Sequence, residues 1–539
     1  MKSTKFFKLG LMAICIALTL SLVPLPAGIT ANTAKAAFSD TYPYQAMRLE
    51  NYNKGWNLNI LGYQNNSEVN VWPTNGNSNE RWKLSTTDGT YFKIINETTG
   101  LLVSPLNWSL SDGNSCVLYA DSNRNEQLWR ILGVDMDPNG DYLTYKIVNK
   151  ANTSMALVLN LSTNKAMLAA YSGSSTHKWK LVSDGLVGFA GYAKTSSNAN
   201  KTGTIGGVLG KTVFVNTLAE LKSALLDSNP LTIVVSSNID NFEDEVYDLR
   251  IASNKTLIGS YAAHRFTDAR LRTDDYFQTE AASNNIIIKN IDFEVENREN
   301  VHTISVYGSR NVWIDHNTFN SSLAIDSNEV GKFIWVYSSN YGNQHPDYVT
   351  VSYNKFYHRY WNVLLGTSSS SVKMNGTVMF NYFDSCVRRT PQVRNGNLHV
   401  LNNFIQRTLS STDNVGYTSV IGASGGNIYS DSNRFNKFQK TSTGSWDAEI
   451  YVTSDAAVKD VGSYTDKGTT PAATPYPLPA PNGTVTTFNP STKYSYPIAK
   501  AYDASGYDVK TFATTYVGAV SSASALKYIH YQECSDYLQ

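Results

Sequence analysis

One pattern limits what this chain can fold into more than any other. From residue 285 to 435, short apolar strands recur as "NIIIKNIDF", "NVWIDHNTF", "YVTVSYNKF", "TVMFNYF", "NLHVLNNF" and "NIYSDSNRF". Each ends in phenylalanine, at 293, 319, 356, 383, 404 and 435. Two positions before five of them stand Asn317, Asn354, Asn381, Asn402 and Asn433. An amide at one fixed turn position in successive units predicts a stacked ladder, each side chain hydrogen-bonding the next. Apolar alternation at a spacing of roughly 20–40 residues fits a coil of parallel strands. A sandwich would need hairpin turns such as Asn-Gly between the strands, and these are scarce.

A second repeat lies upstream. "NERWKL", "NEQLWRI" and "THKWKL" place Trp82, Trp129 and Trp179 47 and 50 residues apart. Each unit opens on a similar strand: "AMRLEN", "YFKIIN", "YKIVNK". One Trp per unit among short strands predicts a closed all-β module with the three indoles in a shared core. Residues 38–183 resemble the ricin-B-type β-trefoil, whose repeats end in Gln-x-Trp. That motif is intact only at Gln127–Trp129. The resemblance implies carbohydrate binding, here of plant cell-wall polysaccharide. The positions that carry sugar-binding side chains hold Asn59, Ser104 and Asn160, so Trp56, Trp72 and Trp108 are the better stacking candidates.

The first 36 residues read as a secretory leader: Lys2, Lys5 and Lys8, an apolar run, and Ala-Lys-Ala at 34–36. No later run approaches the ~18 apolar residues of a membrane span. A secreted, extracellular, monomeric protein is therefore the expectation. Past the leader, Cys116, Cys386 and Cys534 are odd in number and far apart, without metal or redox spacing. With 45 Lys+Arg against 44 Asp+Glu, the chain lacks the basic balance of a nucleic-acid binder. A second module of 185–539 is expected to stand alone, and "LAELKSALL" is its one convincing amphipathic helix.

Against this neutral background "VRRTPQVRNGNLHVLNN" crowds Arg388, Arg389 and Arg394 around Pro391. An isolated arginine pair is more often a surface ion pair, here with Asp384. The neighbouring segments change that reading. "SNKTLIG", "NVWIDHNTF", "YVTVSYNKF" and "VRRTPQVRNGNLHVLNNF" resemble family 1 pectate and pectin lyases over residues ~185–535. The resemblance implies an all-β chain, a right-handed parallel β-helix preceded by the β-trefoil. It implies a lyase acting on α-1,4-polygalacturonate, the pectin backbone, by β-elimination. That reaction removes the C5 proton α to the uronate carboxylate and expels O4, so fixed cations aimed at the developing charge favour it. Guanidinium groups also grip carboxylates bidentately.

Carried over by position, the family's C5 base is Arg389, and Arg394 holds substrate. Arg359 is the candidate to stand in for a substrate lysine missing from "HRYWNVLLG". Of the family's calcium ligands the resemblance keeps Asp315, while His302, Gly331 and Trp335 fill the other slots. Asp326 and Glu329 are the remaining acidic candidates. Ca2+ takes several oxygen ligands, so its binding is doubtful. Asp315 is instead expected to pair with Arg389 or Arg394. His302 and Trp335 are then substrate-binding candidates. Two alternatives stay open: a calcium-independent pectin lyase acting on methyl-esterified substrate, which Trp335, Tyr360 and Trp361 would suit, and a non-catalytic carbohydrate-binding protein.

Overall fold

The computed structural model describes residues 41–191, 203–240, 242, 248–262, 264–296, 302–322, 331–372, 374–406, 421–436, 449–466 and 474–539. The expected leader, Asp326 and Glu329 lie outside these residues. Among the described residues no helix is long and apolar enough to cross a membrane.

The upstream repeat forms one antiparallel sheet of twelve strands, from Met47–Asn51 to Trp179–Ser183. Its three indoles are fully buried and equivalent. The N–H of Trp82, Trp129 and Trp179 donates to the carbonyl of Leu58, Val103 and Leu157, at 2.9, 3.0 and 2.8 Å. Three asparagines repeat in the same way: Asn51, Asn96 and Asn149 each donate to a backbone carbonyl just ahead of one Trp, those of Thr176, Asn79 and Glu126. Gln127 is buried and donates to Ser104 and to the carbonyl of Ala120, so this motif residue is structural. Asn59 and Ser104 are buried as well, which removes them from any sugar-facing surface. Trp72 is 51% exposed, and Trp108 packs under the Arg124 guanidinium.

The second module is the expected coil. Three sheets of eleven, eight and nine strands run along it, and successive coils pair in parallel until the final antiparallel pair, Tyr464–Thr465 with Tyr476–Pro477. The helix Leu218–Leu226 caps the first coils with Leu218, Leu221 and Leu225 buried, and it starts on a capping box formed by Thr217 and Glu220. The phenylalanines stack inside the coil at 4.7–4.9 Å through 293, 319, 356 and 383, with rings within 10° of parallel. Beside them runs the amide ladder. Asn317, Asn354 and Asn381 each donate from Nδ2 to the next amide oxygen at 3.0 Å.

The fourth rung corrects the sequence reading. Asn381 donates to Asn403, not to Asn402, and Asn403 passes the ladder on to Asn433. The reason is register: Met379 pairs with Leu401, which sets Asn403 opposite Asn381 and Ile405 opposite Phe383. Phe404 therefore points outward and stacks on Tyr382 at 5.2 Å. Asn402 turns out too, donating to the carbonyl of Ala499 and accepting from its N–H.

The two modules share a core. Ile205 and Val208, both downstream of the boundary, pack into the hydrophobic cluster of the upstream sheet. Asp184 sits between the modules, fully buried. It accepts from Tyr531 at 2.9 Å and lies 3.2 Å from Arg48 and 3.6 Å from His530. The expected self-sufficiency of residues 185–539 therefore meets apolar side chains and a tyrosine hydroxyl that would lose their partners. Made alone, that fragment is expected to unfold at a lower urea midpoint than the whole chain and to bind a hydrophobic dye; equal midpoints without dye binding would contradict this. Asn381→Ala is expected to cost about 3 kcal/mol, because it strips buried partners from the rungs above and below. Urea unfolding with an unchanged m-value measures the loss.

Candidate active site

The outer face of the eight-stranded sheet carries one row of side chains set by register. Arg272, Ser305, Trp335, Leu364 and Gln392 follow one another across adjacent coils. Their neighbours Ile304, Ile334 and Val363 point inward to the core. Just before these strands lie His302, Lys332, Trp361 and the arginine pair. Trp361 is bridged to Arg388, whereas Leu364 pairs with Gln392. Three steps on one strand thus face four on the next. The extra residue makes a bulge, and Arg389 adopts φ +61° within it. The bulge lays the Arg389 guanidinium over the Trp361 ring, 4.0 Å from its centre. Its Nε and Nη1 are buried without a hydrogen-bond partner among the described residues, so both donors remain available to a ligand.

The charges here are cationic. Burial, then Arg394 and Arg388, bring the Arg389 guanidinium down to about 10. Burial, then Arg389 and Arg359, bring the Lys332 amine down to about 7. His302 is pushed to about 3 by burial and by Lys332, Arg359, Arg389 and Arg272, and so is a neutral imidazole. Its Nδ1 accepts the Lys332 N–H at 3.0 Å, and its ring meets Trp335 edge-on at 4.4 Å. The Lys332 ammonium lies 4.3 Å from the centre of the Trp335 ring. The structure thus brings the expected Arg389, Trp335 and His302 together on one face, with Lys332, which sequence reasoning did not single out, among them. The one signal for it was its place in "GKFIWV", between two of the family's ligand slots.

Two expectations change. Arg359 is fully buried beside Ser321 and the Phe333 ring, which leaves it no exposed surface for a substrate. Asp315 pairs with neither Arg389 nor Arg394. It ends a strand of the eleven-stranded sheet and is fully buried. Oδ1 accepts from Ser352 at 2.8 Å, while Oδ2 accepts from Tyr528 at 2.6 Å and lies 2.9 Å from His316 Nδ1 and 3.5 Å from Lys289. Burial pushes its pKa up, but His316 and Lys289, then the Tyr528 hydrogen bond, hold it below the ordinary carboxylate value.

The donor set does not fit calcium. A hard dication needs several oxygen ligands, and among the described residues around Trp335 and Gly331 the structure sets an indole, a neutral imidazole, two guanidinium groups and an amine. Among the described residues no group of three or more His, Cys, Asp and Glu is placed to hold a metal.

Residues 180–525 match the family described as "Pectate lyase". The chain is 30% identical over 355 residues to a "Pectin lyase" of Bacillus subtilis, covering 64% of this chain and 90% of that protein. A "Pectin lyase" of Pectobacterium carotovorum is 27% identical, covering 58% of this chain and 88% of its own length. A "Pectate trisaccharide-lyase" of Bacillus licheniformis is 29% identical, covering 51% and 77%.

Two buried carboxylates outside the site, Asp184 and Asp315, tie stability to pH. His530, Arg48 and Arg81 outweigh the effect of burial and hold Asp184 well below its ordinary value. Both Asp184 and Asp315 are depressed on folding, so their contribution is complete above about pH 4 and is lost as pH falls through the folded values. Urea midpoints are expected to fall steeply below about pH 4 in the native chain and less steeply in Asp184→Asn.

Proposed function

The chain belongs to the pectate lyase family, hence to the polysaccharide lyases that cleave polygalacturonate, and from that premise we propose that it does so by β-elimination without calcium. The carrying observation is the site's charge. Lys332, Arg359 and Arg389 crowd the point where the family's metal would neutralise the substrate carboxylate. A fixed cation aimed at the carboxylate, or at the enolate that replaces it on loss of the C5 proton, serves the same electrostatic end without a dication. Arg389 is the catalytic cation, with donors free for a ligand, and exposed Arg394 is the substrate grip one step along the sheet. Trp335 and His302 form the floor.

A second reading concerns the substrate's ester groups. Trp335 and Trp361 give the site indole surfaces suited to uncharged sugar, and the relative covered over 90% of its length is called a pectin lyase. This favours methyl-esterified pectin over the free acid. The upstream module is read as a β-trefoil that keeps the enzyme on cell-wall polysaccharide, with half-exposed Trp72 as its stacking surface. The leader pattern supports secretion, and the core that the two modules share within one chain fits a monomer.

The test measures the 4,5-unsaturated product by ultraviolet absorbance on polygalacturonate and on methyl-esterified pectin, with and without a calcium chelator. The chelator is expected to change neither rate, and the esterified substrate to be cut faster. Arg389→Ala is expected to lose at least about a hundredfold in turnover while still binding substrate. Loss of activity in chelator, restored by calcium, would overturn the calcium-free reading. Absence of unsaturated product on both substrates would favour a non-catalytic binding protein.

A further inference from the structure

The row of side chains on the eight-stranded sheet does not stop at Trp335. On the coils ahead of it, aromatic rings lead to an exposed pair, Tyr276 and Phe277, that the site described above leaves unused. We propose that this pair is a distal seat for one sugar ring of the same polysaccharide, several rings from the bond that breaks, and that it commits the enzyme to long chains cut internally. This rests on the placement of cleavage at Arg389 and adds to it a chain-length specificity.

Register lays the track. Tyr307 pairs with Tyr337 on the adjacent strand, two positions on from the paired Ser305 and Trp335, so both rings stand beside that row on the outer face. Tyr307 and Tyr337 lie 5.3 and 5.7 Å from Trp335, ring centre to ring centre. From the coil ahead, the Arg272 guanidinium lies 4.9 Å from the Tyr307 ring and 5.4 Å from the Tyr276 ring, which joins the exposed pair to the row. Arg272 is itself buried and held by Asp274 at 2.7 Å and Asp248 at 3.2 Å, so the link is stiff. Four steps between paired strands separate Gln392–Arg394 from Leu271–Arg272. At ~4.8 Å for each step the track is about 19 Å long.

The loop that carries the pair holds it in place in water. Its ends are tied where the Ser283 N–H donates to the carbonyl of Thr273 at 2.8 Å. Within it Asp275 accepts from the N–H groups of Thr279 and Glu280 at 2.8 and 2.9 Å. From a neighbouring loop the Asn340 N–H donates to the Gln278 side chain at 2.7 Å. Yet Tyr276 is 46% and Phe277 65% exposed. Rings of that size stabilise a fold most when buried, and two left side by side in water on a braced loop mark a binding surface. They meet at 5.4 Å and 85°, which makes a corner rather than a flat patch. A pyranose laid on the face of one ring, its C–H bonds turned to the π cloud, is held at its edge by the other.

Continuity with the catalytic face decides the occupant, because a chain laid across Trp335 and Tyr307 continues onto the pair. Charge decides its form. Arg272 is matched by Asp274 and Asp248, and Arg250 by Glu280. Burial raises the Asp275 pKa slightly, but the N–H groups of Thr279 and Glu280 hold it below the ordinary carboxylate value, so an anion stands next to Tyr276. That anion opposes a free uronate and not its methyl ester. Binding of a remote ring serves turnover when it holds the reacting ring in place. A trisaccharide seated at Arg389 does not reach so far.

The experiment uses the full chain and reads the unsaturated product by absorbance, on polymeric methyl-esterified pectin and on the methyl-esterified trisaccharide. In Tyr276→Ala/Phe277→Ala the ratio of kcat/KM on polymer to kcat/KM on trisaccharide is expected to fall at least about tenfold. Phe277→Ser, at the more exposed position, gives the same reading where the double variant fails to fold. Tyr276→Phe/Phe277→Tyr keeps both rings and is expected to keep the native ratio. A ratio within about twofold of native in Phe277→Ser and in the double variant overturns the proposal. The viscosity of the native digest is expected to collapse while few bonds are cut, and a decline in step with product overturns internal cutting. A native enzyme that makes no unsaturated product on either substrate overturns the lyase reading itself, whereas product on both with an unchanged ratio in the variants overturns the distal seat alone.

Discussion

Four amide-to-amide hydrogen bonds, from Asn317 through Asn354, Asn381 and Asn403 to Asn433, lock each coil to the next. Every rung satisfies polar groups in a fully buried place, where an unpaired amide would cost about 1–3 kcal/mol. The ladder permits one register, because a shift by one residue would turn each strand inside out. That register carries across to the eight-stranded sheet and sets Ser305, Trp335 and Leu364 side by side. The site follows from it. Lys332 and Arg389 lie 57 positions apart in sequence yet act on one another, because successive coils bring them onto one face.

The parts of the fold that repeat were readable from the sequence. The Asn and Phe positions gave the coil, and the three tryptophans gave the upstream module with its shared core. The error at Asn402 shows the limit of such reading. "LNNF" offers two adjacent asparagines, and only the pairing of Met379 with Leu401 decides between them. Ile205 and Val208 were unreadable for a different reason: apolar residues in a glycine-rich stretch do not say which of two cores will take them.

The site divides along the same line. Arg389 and Arg394 lie within one short motif, so their association was visible. The lowered pKa of the Lys332 amine depends, after burial, on Arg389 and Arg359, which come from later coils, and a pattern around "GKFIWV" cannot reveal it. Asp315 was misread because its motif is local and its partners are not: Lys289 comes from the coil before, Ser352 from the coil after, and Tyr528 from 213 residues downstream. A carboxylate in a recognised motif says nothing about which cation or hydroxyl closes over it.

Those distant hydroxyls bear on the order in which the molecule assembles. Asp315 waits for Tyr528, and Asp184 waits for Tyr531, a separation of 347 residues. Contacts of such span are slow to form, because long loops must close before they are rewarded. Until residues 528–531 dock, each carboxylate lacks one of its donors. The coil's amide ladder joins neighbouring coils, whereas the seats of Asp184 and Asp315 close only when residues 528–531 dock on them.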